Sequence, residues 1–172
     1  MKIFLIGFMG AGKSFLGKLW ADDKSIPFYD LDTLIEEDER MTIGKIFSTN
    51  GEDYFREREA AALRNTDKFE NAVIACGGGT PCYFDNMQWM NKNGVTVFLN
   101  ESEENIYKHL RNDKKVRPLI IEQDEGSIQS FIKNKLAERV SHYNESQVIL
   151  PSHQLNKDGF VLVEKYIDTI SK

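Results

Sequence analysis

A phosphate-binding loop near the amino end constrains this 172-residue chain more than any other feature. A short apolar segment, residues 3–6, runs directly into residues 7–14, GFMGAGKS, which fit the pattern G-x-x-x-x-G-K-S. The glycines let the backbone curl tightly and turn successive N–H groups inward as a nest for an anion. The helix predicted after the loop adds the positive end of its dipole. The sequence therefore predicts that the chain binds a nucleoside triphosphate.

Two side chains of the loop have defined chemistry in this pattern. Lys13 can reach the β- and γ-phosphates, and the Ser14 hydroxyl can coordinate Mg²⁺. We therefore expect Mg²⁺ as cofactor, bound together with a nucleoside triphosphate. The residues predicted to contact the nucleotide here are Gly10, Ala11, Gly12, Lys13, Ser14 and Phe15.

The composition is typical of a soluble globular protein, with 41% hydrophobic and 28% charged residues and a net charge of −5. The acidic balance argues against a nucleic-acid partner, so an anionic substrate must be held by a few local cations. No apolar run reaches the roughly 18 residues that a membrane span requires, and no signal peptide is recognisable. Cys76 and Cys82 lie far from other potential zinc ligands and are expected to be reduced. We expect one domain, residues 1–172, in a monomeric cytoplasmic protein.

Strand and helix patterns alternate along the chain, which predicts an α/β sandwich with a mostly parallel sheet. Helical patterns between residues 33 and 67 are interrupted near residues 41–42 and 50–51. The predicted strands cover residues 3–6, 27–29, 72–75, 95–99 and 147–150, and the other predicted helices cover about 13–22, 84–93, 101–111, 127–142 and 159–171.

In a parallel sheet of this kind, ligands bind at the carboxyl ends of the strands. This rule places four features at one edge: the phosphate loop, the aspartates Asp30 and Asp32, the run Gly77–Gly79, and whatever follows Leu99. We expect the functional site there.

Asp30 and Asp32 are two residues apart at a predicted strand end, so in extended chain they would share a face. One carboxylate beside the phosphate loop could hold Mg²⁺, and the second could take a proton from an attacking hydroxyl. Alternatively, Asp32 could simply cap a helix beginning at Thr33, because Thr33 and Glu36 have the spacing of a capping box.

Arg56 and Glu59 lie at i and i+3 on one face of a predicted helix. They could form a surface salt bridge of little energetic value. Alternatively, Glu59 could orient Arg56 to grip a substrate carboxylate or phosphate. The residue pattern alone leaves both possibilities open.

Three consecutive glycines, Gly77–Gly79, follow a predicted buried strand. Such a run is costly in backbone entropy, and it favours a close approach of backbone to ligand. A simple tight turn is the alternative.

Residues 111–119 concentrate cations between two predicted helices. A loop carrying arginine suits a lid that closes over phosphates and stabilises developing charge. We expect that role for Arg117, whereas Lys114 and Lys115 are expected to be solvated. Sequence spacing does not decide the role of Arg139, and the three histidines form no constellation.

Taken together, these residues resemble the shikimate kinases, from Lys2 to about Tyr143. The combination F-R-x-x-E, G-G-G and R-P-L is far more restrictive than the phosphate loop alone. The matching blocks are Gly7–Ser14; Tyr29–Asp32 with Ile35-Glu36; Ile46-Phe47 through Gly51-Glu52 to Phe55-Arg56 and Glu59; Gly77–Gly79; Val116–Leu119; and Arg139 with Tyr143.

The resemblance implies a three-layer α/β/α sandwich of the P-loop kinase type, with a five-stranded parallel sheet in the order 2-3-1-4-5. It also implies a substrate-binding subdomain around residues 32–60, a lid around residues 112–124, and phosphorylation of the 3-hydroxyl of shikimate by ATP. The resemblance implies catalytic roles for Lys13, Asp32 and Arg117, and Arg117 would also contact the nucleotide. Ser14 and Asp30 would bind Mg²⁺. Shikimate would be bound by Asp32, Arg56, Gly78, Gly79 and Arg139, with Glu59 orienting Arg56.

The chain departs from the family pattern at the nucleotide. Phe15 stands where the family usually has threonine, which predicts altered packing rather than lost activity. Residues 151–156 lack the arginine that often lies against adenine, and Arg111 is a candidate for the other face of the base.

Two other functions are compatible with the loop and the fold. A gluconate kinase would share both, but it would not be expected to carry the F-R-x-x-E and triple-glycine blocks together. A catalytically silent nucleotide-binding homologue would be favoured by loss of Lys13, Asp32 or Arg117, and all three are present.

Overall fold

The computed structural model describes residues 1–112 and 125–170. Within these ranges one parallel sheet has the strand order β2-β3-β1-β4-β5, which confirms the order that the resemblance implies. The strands are β1 (Lys2–Ile6), β2 (Phe28–Asp30), β3 (Ala72–Ala75), β4 (Val95–Asn100) and β5 (Val148–Pro151).

The helices also follow the predicted pattern. The break expected near residues 50–51 lies at Gly51, whose φ of 83° and ψ of 176° interrupt the third helix. The helices are α1 (Lys13–Lys24), α2 (Leu31–Glu39), α3 (Ile43–Asn65), α4 (Asn86–Asn93), α5 (Glu103–Asn112), α6 (Glu125–Tyr143) and α7 (Gly159–Ile170), with short 3₁₀ turns at Thr66–Lys68, Thr80–Cys82 and Ser152–Gln154.

Alternate side chains of the central strand β1 pack into two separate hydrophobic cores. Phe4 and Ile6 join the core under α2, α3 and α4. Leu5 points to the opposite face, where it packs with Trp20 of α1 and Phe160 of α7. Because successive side chains of a strand point to opposite faces, a strand that is apolar throughout must be covered on both sides. This arrangement confirms the α/β/α sandwich.

A third, smaller core positions the phosphate loop. Phe8 of the loop packs with Ile106 and Leu110 of α5 and with Ile132 of α6. None of the described helices is long and apolar enough to cross a bilayer. Residues 113–124 lie outside the described residues, and with them Arg117 and nearly all of the predicted lid.

Candidate active site

The phosphate loop has the backbone that its glycines predict. Gly10 and Gly12 adopt φ values of 81° and 85°, a left-handed region in which a side chain is strained. Helix α1 begins immediately afterwards, at Lys13, so its positive end opens onto the loop. The Lys13 ammonium donates hydrogen bonds to the carbonyls of Gly7 and Phe8, each over 2.9 Å. The loop's own carbonyls therefore hold the Lys13 ammonium group against the loop.

Asp30 connects the loop to the end of β2. Its Oδ2 accepts a hydrogen bond of 2.6 Å from the Ser14 hydroxyl, and its Oδ1 accepts one of 3.1 Å from the backbone N–H of Asp32. The second bond makes Asp30 the N-cap of α2, which begins at Leu31.

This start of α2 corrects two predictions. Asp32 is not the helix cap, because Asp30 has that role and Asp32 lies in the first turn. The two aspartates also do not share the face of an extended strand, since the chain is already helical from Leu31. The aspartates are still adjacent at the predicted edge of the sheet.

The glycine run after β3 touches the predicted substrate-binding side chains one after another. A Cβ on Gly77 would lie 3.4 Å from Asp32 Oδ1, and one on Gly78 would lie 3.4 Å from Arg139 Nη1. A Cβ on Gly79 would lie only 2.6 Å from Arg56 Nη1. None of the three glycines lies in the positive-φ range that favours glycine, so close contacts with neighbouring groups explain them better than backbone conformation does.

Arg56 and Glu59 form a buried ion pair. Arg56 is 6% exposed and Glu59 is 1% exposed. Arg56 Nη1 lies 2.8 Å from Glu59 Oε2. Burial alone would lower the pKa of Arg56, but the carboxylates of Glu59 and Glu52 outweigh it and raise that pKa. The interpretation of a surface salt bridge is therefore wrong, and the guanidinium is held in a fixed orientation.

Glu52 and Tyr83 are also members of this cluster, although the sequence predicted no role for either residue. Glu52 Oε1 accepts hydrogen bonds from Arg56 Nε over 3.2 Å, from Arg56 Nη2 over 2.9 Å and from the Tyr83 hydroxyl over 2.9 Å. The Arg56 guanidinium also lies 4.2 Å from the centroid of the Tyr83 ring. The i,i+4 spacing of Glu52 and Arg56 could have revealed the first contact. No local signal links Tyr83 to a residue 31 positions earlier.

Helix α6 brings Arg139 to the site. The Tyr143 hydroxyl donates to the Gly78 carbonyl over 2.6 Å, and the Arg139 guanidinium lies 5.7 Å from the centroid of the Phe8 ring. Burial raises the pKa of Tyr143 well above its usual range, so this hydroxyl remains a donor. One helix is thus fixed to both the glycine run and the phosphate loop.

Residues 151–156, the segment considered for adenine binding, run from the end of β5 through the 3₁₀ turn Ser152–Gln154. The Ser152 hydroxyl donates to Glu101, and the Trp20 indole N–H donates to the Asn156 carbonyl over 3.1 Å, which anchors residues 151–156. Arg111 is exposed in the last turn of α5, and its contact with adenine stays a prediction.

One histidine, His109, lies at the phosphate loop, which its sequence context did not indicate. It is exposed, and its Nδ1 lies 2.7 Å from the Gly10 carbonyl oxygen. Cys76, immediately before the glycine run, is buried, and burial raises the pKa of its thiol, which disfavours the thiolate form.

Comparisons with known proteins agree with this geometry. A family model described as shikimate kinase matches residues 9–171. A shikimate kinase of Bacteroides thetaiotaomicron is 42% identical over 155 residues, which cover 90% of this chain and 89% of that protein. A shikimate kinase of Flavobacterium johnsoniae is 40% identical over 148 residues, covering 85% and 86%.

Solved structures show the same likeness. The crystal structure of shikimate kinase from Bacteroides thetaiotaomicron has a TM-score of 0.87 at 39% identity, covering 99% of this chain and 96% of that chain. The structure of shikimate kinase from Acinetobacter baumannii in complex with shikimate has a TM-score of 0.84 at 27% identity, covering 95% and 93%. On its sequence, its fold and these matches, the chain belongs to the shikimate kinase family.

Proposed function

We propose that this protein transfers the γ-phosphoryl group of ATP to the 3-hydroxyl of shikimate, forming shikimate 3-phosphate in aromatic amino-acid (chorismate) biosynthesis. The observation that supports this most is the run Gly77–Gly79, which packs against Asp32, Arg139 and Arg56 in turn. A candidate base and two cations suited to a carboxylate are thereby gathered at the sheet edge that carries the phosphate loop. The likeness to an Acinetobacter baumannii protein solved with shikimate supports the same acceptor.

At the nucleotide, the loop N–H groups and the positive end of α1 bind the phosphates. Lys13 exchanges its bonds to the Gly7 and Phe8 carbonyls for bonds to phosphate oxygens. Arg117, carried by the lid at residues 112–124, adds positive charge as the transferred group develops negative charge. Catalysis then depends mainly on positioning and electrostatic stabilisation.

Ser14 and Asp30 are the residues that would hold Mg²⁺. They offer a hydroxyl and a carboxylate oxygen 2.6 Å apart beside the phosphate loop, and Mg²⁺ prefers such oxygen ligands. The donor set therefore fits the ion. When bound, Mg²⁺ supplies charge neutralisation to the phosphate oxygens.

At the acceptor, Asp32 accepts the proton of the attacking hydroxyl as the new P–O bond forms. Arg56 and Arg139 bind the shikimate carboxylate, and the N–H groups of Gly78 and Gly79 add backbone contacts. Glu59 fixes the orientation of Arg56 through their buried ion pair. A few fixed cations thus let a protein of net charge −5 bind an anionic substrate.

We also propose the division of labour within the single domain. Residues 32–60 form the substrate-binding subdomain, and the break at Gly51 supplies a point at which α3 can bend. The lid and this subdomain close over the two substrates and exclude water.

The test is ADP release from Mg-ATP by the purified protein, with shikimate, gluconate or a nucleoside monophosphate offered in parallel. We expect release that depends on shikimate alone. Release with gluconate in place of shikimate would agree with the proposed role of the phosphate loop. It would contradict the proposal that Arg56 and Arg139 bind a shikimate carboxylate. Nucleotide binding without turnover on any acceptor would identify a silent homologue.

A further inference from the structure

Thr80 follows the glycine run directly and has no role in the mechanism above. The residue is fully buried, at 0% exposure, in the 3₁₀ turn Thr80–Cys82. Its hydroxyl lies 2.6 Å from Glu59 Oε1. A carboxylate oxygen can only accept, so Thr80 donates this bond.

Glu59 divides its two oxygens between two partners. Oε2 accepts from Arg56 Nη1 over 2.8 Å, and Oε1 accepts from Thr80. Oε1 is also packed closely, because a Cβ on Gly77 would lie 2.6 Å from it. A carboxylate that is 1% exposed needs both partners, since an unmade hydrogen bond in such a place is costly.

Thr80 is itself held from two sides. Its N–H donates to the Gly77 carbonyl over 3.1 Å, and its carbonyl accepts from Asn86 Nδ2 over 2.9 Å. The Asn86 side-chain oxygen in turn accepts from Arg64 Nη1 over 2.9 Å. The backbone that carries the Thr80 hydroxyl is therefore held in place by hydrogen bonds at both its N–H and its carbonyl group.

We infer that Thr80 is a positioning residue for substrate binding, which acts through Glu59 to fix the guanidinium of Arg56. The chain of contacts runs from Thr80 Oγ1 to Glu59 Oε1, and from Glu59 Oε2 to Arg56 Nη1. The consequence for shikimate binding rests on the proposed function; the consequence for the arginine side chain does not.

Three variants test this inference. Thr80→Val keeps the shape of the side chain and removes the hydroxyl, whereas Thr80→Ser keeps the hydroxyl and removes a buried methyl group. Thr66→Val is the matched control, because Thr66 is also 0% exposed and its hydroxyl donates over 2.7 Å, but to the Leu63 carbonyl. Each variant loses a buried contact, so its melting temperature is measured first to establish that it folds. The KM values are then compared among folded proteins.

Steady-state kinetics give the first readout. We expect Thr80→Val to raise the KM for shikimate about tenfold, the effect of losing one hydrogen bond to a charged group, and to leave the KM for ATP unchanged. Thr80→Ser and Thr66→Val should keep the wild-type KM for both substrates.

The NMR signals of the arginine side-chain N–H groups give a second readout that needs no turnover. The Arg56 Nε–H signal, assigned with Arg56→Lys, should shift or broaden in Thr80→Val and stay in place in Thr80→Ser and Thr66→Val. An unchanged Arg56 signal, or an unchanged KM for shikimate, in folded Thr80→Val would overturn the inference. A wild-type protein inactive on shikimate would refute the proposed function instead, and the Arg56 signal would still decide whether Thr80 fixes the guanidinium.

Discussion

The Ser14 hydroxyl donates a 2.6 Å hydrogen bond to Asp30, and this contact joins the first turn of α1 to the end of β2. The two residues come from different strand-to-helix connections of the sheet, yet they present two oxygen groups at one point beside the phosphate loop. The proposed magnesium site therefore depends on how two neighbouring elements are packed.

Ser14→Ala should weaken the response to Mg²⁺. The variant removes one proposed ligand and leaves the Asp30 carboxylate without its hydroxyl partner. We expect the Mg²⁺ concentration for half-maximal rate to rise on the order of tenfold. Ser48→Ala is the control, since Ser48 is an exposed serine of α3 whose hydroxyl bonds to the Lys45 carbonyl. An unchanged Mg²⁺ dependence in Ser14→Ala would remove Ser14 from the site.

Asp32→Asn should retain ATP binding and lose turnover. The amide keeps the size of the side chain but cannot accept the proton of the attacking hydroxyl. We expect kcat to fall by roughly 10²–10⁴-fold, the usual contribution of a general base. Equilibrium binding of ATP and steady-state rates measure the two properties separately. Near-normal turnover would show that the base is another group.

Gly79→Ala should impair shikimate binding and also lower the stability of the fold. Its backbone, at φ −93° and ψ −18°, suits alanine, but the new Cβ would meet the Arg56 guanidinium at 2.6 Å. The guanidinium must then move, which strains its buried ion pair with Glu59 and takes it away from the position proposed for binding the shikimate carboxylate. We expect a higher KM for shikimate, an unchanged KM for ATP and a lower melting temperature. Equal losses for both substrates would point to general disruption.

Phe15→Thr should improve nucleotide binding. The Phe15 side chain is 74% exposed directly after the phosphate loop, so its removal should change the free energy of unfolding by no more than about 0.5 kcal/mol. The threonine hydroxyl would add a hydrogen-bonding group at the proposed phosphate site. We expect a lower KM for ATP at an unchanged kcat. A higher KM would instead assign the aromatic ring a contact with the nucleotide.

Glu52→Gln should make stability less sensitive to acid. Partial burial would raise the pKa of Glu52, but hydrogen bonds from Arg56 and Tyr83 outweigh it, so this pKa lies below the ordinary value. The unfolded chain therefore takes up the proton at a higher pH than the folded protein does. The stabilisation is complete above the ordinary glutamate pKa and is lost as the pH falls through the lowered one.

Urea midpoints at pH 7, 4 and 3 measure this effect. The difference between neutral and acid midpoints should be smaller in Glu52→Gln than in the wild type. Glu57→Gln, at an exposed glutamate of the same helix, is the control and should match the wild type. Parallel acid profiles for all three proteins would contradict the prediction.

The sequence was sufficient for those parts of the site that depend on local geometry. The loop around Lys13 and the break at Gly51 follow from short-range spacing and glycine conformation, and the structure has both. The start of α2 was misplaced by two residues because either Asp30 or Asp32 can cap a helix. Only the backbone direction after β2 decides between them.

The contacts that the sequence could not predict span large separations along the chain. Thr80 reaches Glu59 across 21 positions, Tyr83 reaches Glu52 across 31, and Tyr143 reaches Gly78 across 65. Each contact depends on how helices pack on the sheet, which no periodicity of a single element encodes. The burial of Arg56 has the same origin, because Gly79 and Tyr83, which lie against its guanidinium, come from a later part of the chain.

The position of β1 has a consequence for biosynthesis on the ribosome. β1 carries the phosphate loop and is the first strand to be translated, but its neighbours in the sheet are β3, at residues 72–75, and β4, at residues 95–100. A nascent chain that ends before residue 72 therefore has no partner strand for β1. Both neighbours of β1 are present only once residue 100 has been made, so until then the apolar strand that leads into the phosphate loop lacks part of its sheet.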